Sequence, residues 1–143
     1  MAGAVPGPFE AFLVHRGLET LEVRLERMCA SAHVIAGRLA AHRQVRALRY
    51  PGLPGDLSHR MVGGQMANGG FLITFELPTA GQAEAFLSRC PLIEQTTSFG
   101  GTHTAGERRA RWGDAVAEGF IRLSVGVEPV EPLWAAIDAA LTG

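Results

Sequence analysis

The sequence predicts an α/β domain of two layers: one small sheet of about four strands, with helices mainly on one face. Three observations carry that expectation. Segments with helical apolar spacing alternate with segments of strand spacing along the chain. The run Gly119 to Glu128 sets Ile121, Leu123, Val125 and Val127 on one side and Phe120, Arg122 and Ser124 on the other, as in a sheet covered on a single face. And 143 residues, 47% of them apolar and 19% charged, suffice for one ordinary domain with a real core.

Met1 to Gly7 reads as an irregular lead. Pro8, tolerated at a first helical position, opens a helix from Phe9 to Leu18. Its residues Phe9, Ala11, Phe12, Leu13, Val14 and Leu18 make it apolar nearly all round, and such a helix needs cover on both sides. Gly17 interrupts it, and Thr20 is placed to cap a second helix ending near His42. There Leu21, Leu25, Met28, Ala32, Ile35 and Leu39 recur at spacings of four and three. Val45 to Tyr50 is a short strand closed by the turn Pro51 to Gly55. A brief helix over Leu57 to Met66 is weakened by Gly63 and Gly64. After the turn Asn68-Gly69-Gly70, Phe71, Ile73, Phe75 and Leu77 alternate with Leu72, Thr74 and Glu76 as a strand. Thr79 with Gln82 forms a capping box for a helix to about Arg89, stopped by Pro91. Leu92 to Ser98 reads as a third strand and Gly101 to Glu118 as loop. Pro129 and Pro132 start a last helix that presents Leu133, Ile137 and Leu141 beside Trp134.

Composition removes several functions. A net charge of −1 offers no field for nucleic acid or an anionic membrane, and no run of about 18 apolar residues exists. With no signal peptide pattern, a soluble cytoplasmic protein is expected, its Cys29 and Cys90 serving as buried packing residues rather than a disulfide. All thirteen basic residues are arginine, and without a lysine the chain has no side-chain amine for a Schiff base. His15, His33 and His42 share no ligand spacing, so no metal site is expected. No GxxxxGK[ST] loop is present, and Gly63-Gly64 and Gly69-Gly70 lack the order of a dinucleotide fingerprint. Ser98 and Ser124 have no nucleophile elbow.

Two candidates are left. The run Arg108, Arg109, Arg111 is either a phosphate patch or a solvated loop beside Glu107 and Asp114, with Trp112 as cover for a cavity or interface. Arg122, with the Ser124 hydroxyl beside it, offers a planar fork suited to bidentate recognition of a carboxylate; the alternative is an edge arginine that is solvated or paired with a nearby acid.

Gly7-Pro8-Phe9-Glu10-Ala11-Phe12-Leu13-Val14, Arg16-Gly17-Leu18-Glu19-Thr20-Leu21, Tyr50-Pro51-Gly52-Leu53, Gln65-Met66, Gly69-Gly70-Phe71, Ser98-Phe99-Gly100-Gly101 and Arg122-Leu123-Ser124-Val125-Gly126-Val127-Glu128 follow one another in this order. The set resembles the C-terminal part of the Cys/Met-metabolism pyridoxal-phosphate enzymes, a family that includes cystathionine γ-lyase, cystathionine γ-synthase, cystathionine β-lyase and methionine γ-lyase. The resemblance covers nearly the whole chain.

It implies the C-terminal domain of a fold-type I pyridoxal-phosphate enzyme. Residues 1–42 would be linking helices that pack on an absent large domain, and residues 43–143 the small α/β domain. The implied cofactor is pyridoxal phosphate, whose lysine and phosphate site belong to that large domain; cofactor-binding residues of this chain stay unknown, and none of its residues is expected to be catalytic. Arg122 matches the family's ligand for the substrate α-carboxylate, and Ser98 borders the active site. Thr97 lies where γ-lyases often carry a glutamate, which leaves β and γ chemistry open. The stretch Thr102 to Ala117 departs from the family's H-P-A-x-M-T-H pattern. The function implied is the substrate-carboxylate-binding portion of a transsulfuration enzyme, most like cystathionine γ-lyase. Its partners would be a sulfur-containing amino acid and the missing large domain or family subunits, in a homo-oligomer. The alternatives are a non-enzymatic interaction or regulatory domain, or the same portion of a cystathionine γ-synthase. Met1 stands where the family is mid-chain, which implies a truncated gene, a late start codon or an excised portion.

Overall fold

Helix α1 (Pro8–Leu18) carries its proline in the first turn, and α2 (Leu21–Ala40) follows after Glu19 and Thr20. The computed structural model describes residues 3–143; Met1 and Ala2, part of the expected lead, lie outside the described residues. Thr20 holds the N-cap position, but its hydroxyl accepts from Arg24 Nε at 3.3 Å rather than from a helix N–H. The same guanidinium donates to the Gly17 carbonyl at 2.6 Å, so one arginine bridges the break between the helices. Of the apolar stripe on α2, Met28, Ala32, Ile35 and Leu39 are buried, while Leu21 and Leu25 stay exposed.

The sheet has five strands rather than about four: β1 (Arg46–Arg49), β2 (Leu72–Glu76), β3 (Glu94–Gln95), β4 (Ala105–Arg108) and β5 (Phe120–Ser124). Their order is β1-β2-β5-β4-β3, and every pairing is antiparallel except β3 with β4. Helices α2, α3 (Ala80–Arg89) and α4 (Val130–Thr142) cover one face. Ile73, Phe75, Ile121, Leu123 and Val125 from the strands meet Ile35, Leu39, Phe86, Leu87, Leu133 and Ile137 from the helices in one continuous core. Removing each such side chain from water contributes roughly 1.5–3 kcal/mol, which fixes the strand register because a one-residue slip turns the whole row outward. Phe75 and Phe86 meet edge to face at 5.8 Å. Thr79 Oγ1 accepts from the Gln82 N–H at 3.2 Å, one half of the expected capping box, while Gln82 Oε1 accepts from the Thr79 hydroxyl at 3.2 Å instead of from its backbone N–H. Cys29 and Cys90 are free thiols and buried.

Three expectations need correction. Gly101 to Glu118 is not all loop, because it contains β4 and a 3₁₀ turn at Arg109–Trp112. Ala105-Gly106-Glu107-Arg108 has no β-branched or aromatic residue, so nothing in its local propensity specifies a strand. It pairs because β5 needs a second neighbour and only a narrow residue passes beneath α3: a Cβ on Gly106 would meet Ile93 Cγ2 at 2.9 Å and Leu87 Cδ2 at 3.1 Å. Leu92 to Ser98 contracts to β3, since only Ile93 of that segment is buried. The helix expected over Leu57 to Met66 is a single 3₁₀ turn, His59–Met61, stopped by Gly63 at φ +85°.

Directly opposed residues of an antiparallel pair share a face, so Thr74, Arg122 and Glu107 line up on the sheet face away from the core helices, with Leu72, Ser124 and Ala105 as the next row. Among the described residues no helix is long and apolar enough to cross a membrane, and no group of three or more His, Cys, Asp or Glu residues is placed to hold a metal ion.

Candidate carboxylate site

Strand β5 holds Arg122 between two residues with no exposure at all, Ile121 and Leu123, so the backbone beneath the guanidinium is anchored in the core. Arg122 and Ser124 stand two residues apart on the open face and grip the same loop. Arg122 Nη2 donates to the Thr97 carbonyl at 2.5 Å, and Ser124 Oγ accepts from the Gly100 N–H at 3.0 Å. Gly100 has φ +78° and lies against Phe71, a conformation and a contact that suit glycine. Ser98 and Phe99 are the exposed residues between the two grips. The Ser98 N–H is turned inward to Thr96 Oγ1 at 3.2 Å, and the Phe99 ring covers the Arg122 guanidinium at 5.2 Å. The Arg122 side chain is 21% exposed, open enough to meet a ligand and sheltered enough for its charge to count.

The structure thus brings Arg122 to the loop that carries Thr97 and Ser98. Thr97 contributes its carbonyl, and both Thr97 and Ser98 are exposed residues of the loop. A fourth residue joins them. Glu107 on β4 is 3% exposed and sits opposite Arg122 across the strand pair. Its Oε1 accepts from Arg122 Nη2 and, at 2.8 Å, from Arg109 Nη1; its Oε2 accepts from Trp112 Nε1 at 2.9 Å. Arg109 also donates to Asp114 at 2.6 Å, and these two carboxylates, Glu107 first, push the Arg109 pKa above its already high ordinary value. From sequence, Glu107 was only an acid beside an arginine run. Its opposition to Arg122 is a matter of register, which no local motif records.

Of the arginine run, Arg111 fits the solvated-loop reading, its side chain 41% exposed and 3.9 Å from Glu84, while the other two arginines are tied down. Arg108 is tied to Glu84 at 2.7 Å and Glu118 at 3.1 Å with 14% of its side chain exposed, and Arg109 is tied to Glu107 and Asp114. Trp112 donates to Glu107 and is 59% exposed. A hollow of about 490 Å³ lies elsewhere, beside β1 among Arg46, Arg49, Tyr50 and Leu53. A smaller one of about 170 Å³ adjoins Thr96, Ser98, Phe99 and His103. Size favours the first, but convergence of a core-anchored cation, its counter-ion and an aromatic cover favours the Arg122 surface.

Residues 1–142 match the family described as Cys/Met metabolism PLP-dependent enzyme. A Streptomyces coelicolor protein provisionally named cystathionine gamma-lyase is 46% identical over 99% of this chain and 36% of its own length. Cystathionine beta-lyase of Coxiella burnetii is 36% identical over 97% of this chain and 39% of its own length. The crystal structure of an apo methionine gamma lyase from Micromonospora echinospora superimposes with a TM-score of 0.92 at 40% identity, covering 99% of this chain and 39% of that one. This chain therefore spans little more than a third of the length of the relatives it matches. Its sheet and four helices have the fold of the corresponding portion of fold-type I pyridoxal-phosphate enzymes. With the match running from the first residue to the last but one, this chain belongs to the Cys/Met metabolism family of pyridoxal-phosphate-dependent enzymes.

Proposed function

We propose that this chain is the substrate-carboxylate-binding, C-terminal portion of a transsulfuration enzyme, most like a cystathionine γ-lyase that cleaves a carbon–sulfur bond, with Arg122 as the carboxylate ligand and Ser98 and Thr97 at the mouth of the site. The observation that carries this reading is the placement of Arg122: a guanidinium on a core-anchored strand, roofed by Phe99 and tied to the Thr97 carbonyl. Its planar fork matches a carboxylate, and the Phe99 ring at 5.2 Å adds cation–π attraction that holds the guanidinium in place.

The residues present do not fit covalent attachment of the family's cofactor. The chain has no lysine, and its arginines at 108 and 109 are spent on carboxylates. The chemistry of bond cleavage therefore belongs to residues outside this chain, and what this portion supplies is orientation: a substrate held by its carboxylate at a fixed point presents its remaining atoms in a fixed direction.

The same reading assigns the exposed part of residues 1–42 to contact with the missing portion or with another subunit of a homo-oligomer. Phe9, Phe12, Leu13, Val14 and Leu18 on α1 are each at least half exposed, and α1 has no buried residue. A non-enzymatic domain that associates with family subunits through α1 is the second reading, supported by the same apolar surface.

Joining this chain to the lysine-bearing portion of the Streptomyces coelicolor relative tests the first reading. The expected result is cleavage of cystathionine that depends on Arg122. In Arg122→Lys a point charge replaces the fork, and losing part of a charged hydrogen-bonded pair costs on the order of 2–5 kcal/mol, about thirtyfold to several thousandfold in kcat/KM. An active chimera whose KM is unchanged in Arg122→Lys and Arg122→Ala removes Arg122 from the site. An inactive, folded chimera favours the second reading.

A further inference from the structure

We propose that Glu107 is an internal carboxylate that holds Arg122 in aim and yields it to the substrate's carboxylate on binding, which makes Glu107 a positioning residue of the site; this rests on the reading of Arg122 as the carboxylate ligand. A guanidinium offers a carboxylate two forks, Nη1 with Nη2 and Nε with Nη2, and both run through Nη2. In this chain Nη2 donates to Glu107 Oε1 and to the Thr97 carbonyl. Both forks are thus half-filled from within. An incoming carboxylate makes a two-pronged pair only where one of those acceptors gives way.

The Thr97 carbonyl belongs to a loop that Ser124 pins again at Gly100, so its withdrawal would move backbone. Glu107 is a side chain with other support. When Arg122 leaves, Oε1 still accepts from Arg109 Nη1 and Oε2 from Trp112 Nε1. A buried carboxylate that keeps two donors avoids the large cost of an orphaned charge. The exchange also conserves charge at Arg122, which faces one carboxylate before binding and one after. Arg109, clamped between Glu107 and Asp114, keeps Glu107 from following Arg122 outward. Glu107 thereby sets the affinity of the site: a firmer grip on Arg122 excludes weak anions, and only a ligand offering both a carboxylate and further contacts displaces it.

Two substitutions move binding in opposite directions. The probe is L-methionine, titrated into the full 143-residue chain, with the arginine side-chain N–H signals read by ¹⁵N-edited NMR. Glu107→Gln keeps the shape and an amide oxygen for Trp112 or Arg109 but loosens the hold on Arg122, so the dissociation constant should fall about three- to tenfold. Trp112→Phe removes the donor that steadies Glu107 after the exchange, so the constant should rise about two- to fivefold. A purely structural role for Glu107 predicts weaker binding in both, and a general field effect predicts no change in Trp112→Phe. Unchanged or weaker binding in Glu107→Gln overturns the exchange. So does unchanged or tighter binding in Trp112→Phe, which is made at an exposed residue and can still overturn the exchange where Glu107→Gln fails to fold. Arg122→Ala separates the two levels of the claim. If L-methionine binds equally well without Arg122, or moves no arginine signal in any variant up to its solubility, the carboxylate reading itself falls. If Arg122→Ala abolishes binding while the other variants miss their signs, only the exchange falls.

Discussion

Gly106→Ala adds one methyl group to the middle of β4 and tests the account of why that strand exists. The new Cβ would stand 2.9 Å from Ile93 Cγ2, 3.1 Å from Leu87 Cδ2 and 3.5 Å from Leu123 Cδ1. Leu87 can rotate its terminal methyl away. Ile93 cannot, because Cγ2 hangs directly from its branched Cβ and the whole residue must shift. Overpacking of this kind costs about 1–3 kcal/mol, and the reduced freedom of the unfolded chain returns about 0.4–1 kcal/mol, so the net loss lies within about 0–2.6 kcal/mol and centres on about 1.3 kcal/mol. Urea unfolding of the full chain, with a slope of about 1–3 kcal/mol per molar, should show the midpoint lowered by about 0.5–1 M at unchanged slope. Ile93→Ala alone should cost about 2–4 kcal/mol, and in the Gly106→Ala background about 1 kcal/mol less, since the clash goes with the side chain. A Gly106→Ala chain more stable than the parent, or costs that simply add, would refute the packing explanation of β4.

Tyr50 is the only tyrosine and is 1% exposed, and its pKa is pushed up to about 12 by burial first and the nearby Cys29 thiol second. Because the folded value lies above the ordinary one near 10, the neutral phenol contributes stability that is lost as pH rises through the folded pKa; absorbance at about 295 nm should show tyrosinate near pH 12 or together with unfolding, and a midpoint near 10 in folded chain would contradict it. Asp56 is held below the ordinary carboxylate range, chiefly by Arg49 and then by the N–H groups of Ser58 and Tyr50. Its contribution is present above the unfolded pKa of about 4 and lost as pH falls through the lower folded value, so the urea midpoint of the parent should drop on acidification more steeply than that of Asp56→Asn. The exposed side chains of α1 should drive self-association of the isolated chain, and Phe12→Glu with Val14→Glu should lower its sedimentation coefficient at high concentration; a monomeric parent would remove that surface as an interface.

What was legible in the sequence is what burial writes as a period. Ile73 and Phe75 alternate, Ile121, Leu123 and Val125 alternate, and Leu133, Ile137 and Leu141 recur by fours, because each row meets the same core and none tolerates a shift. The α2 stripe was legible for the same reason, and Pro8, Thr79 and Pro91 marked helix ends through backbone chemistry that is local. Arg122 stood out because one cation occupied the polar side of an otherwise apolar strand. Its surroundings were hidden by the opposite circumstance. Ala105-Gly106-Glu107-Arg108 is a strand only because β5 lies on one side and Ile93 and Leu87 lie above, so its cause is elsewhere in the chain. Once that strand is placed, register puts Glu107 against Arg122 with no further choice. The carboxylate faces away from the core helices, and Arg109 and Trp112, from the 3₁₀ turn that follows, close over it. These residues fall within Thr102 to Ala117, a stretch that the resemblance motifs leave out. This stretch builds an acid opposite the arginine that the resemblance assigns to the substrate. On the exchange proposed above, a carboxylate reaching Arg122 would displace Glu107, and its affinity would be set as much by Glu107, Arg109 and Trp112 as by Arg122.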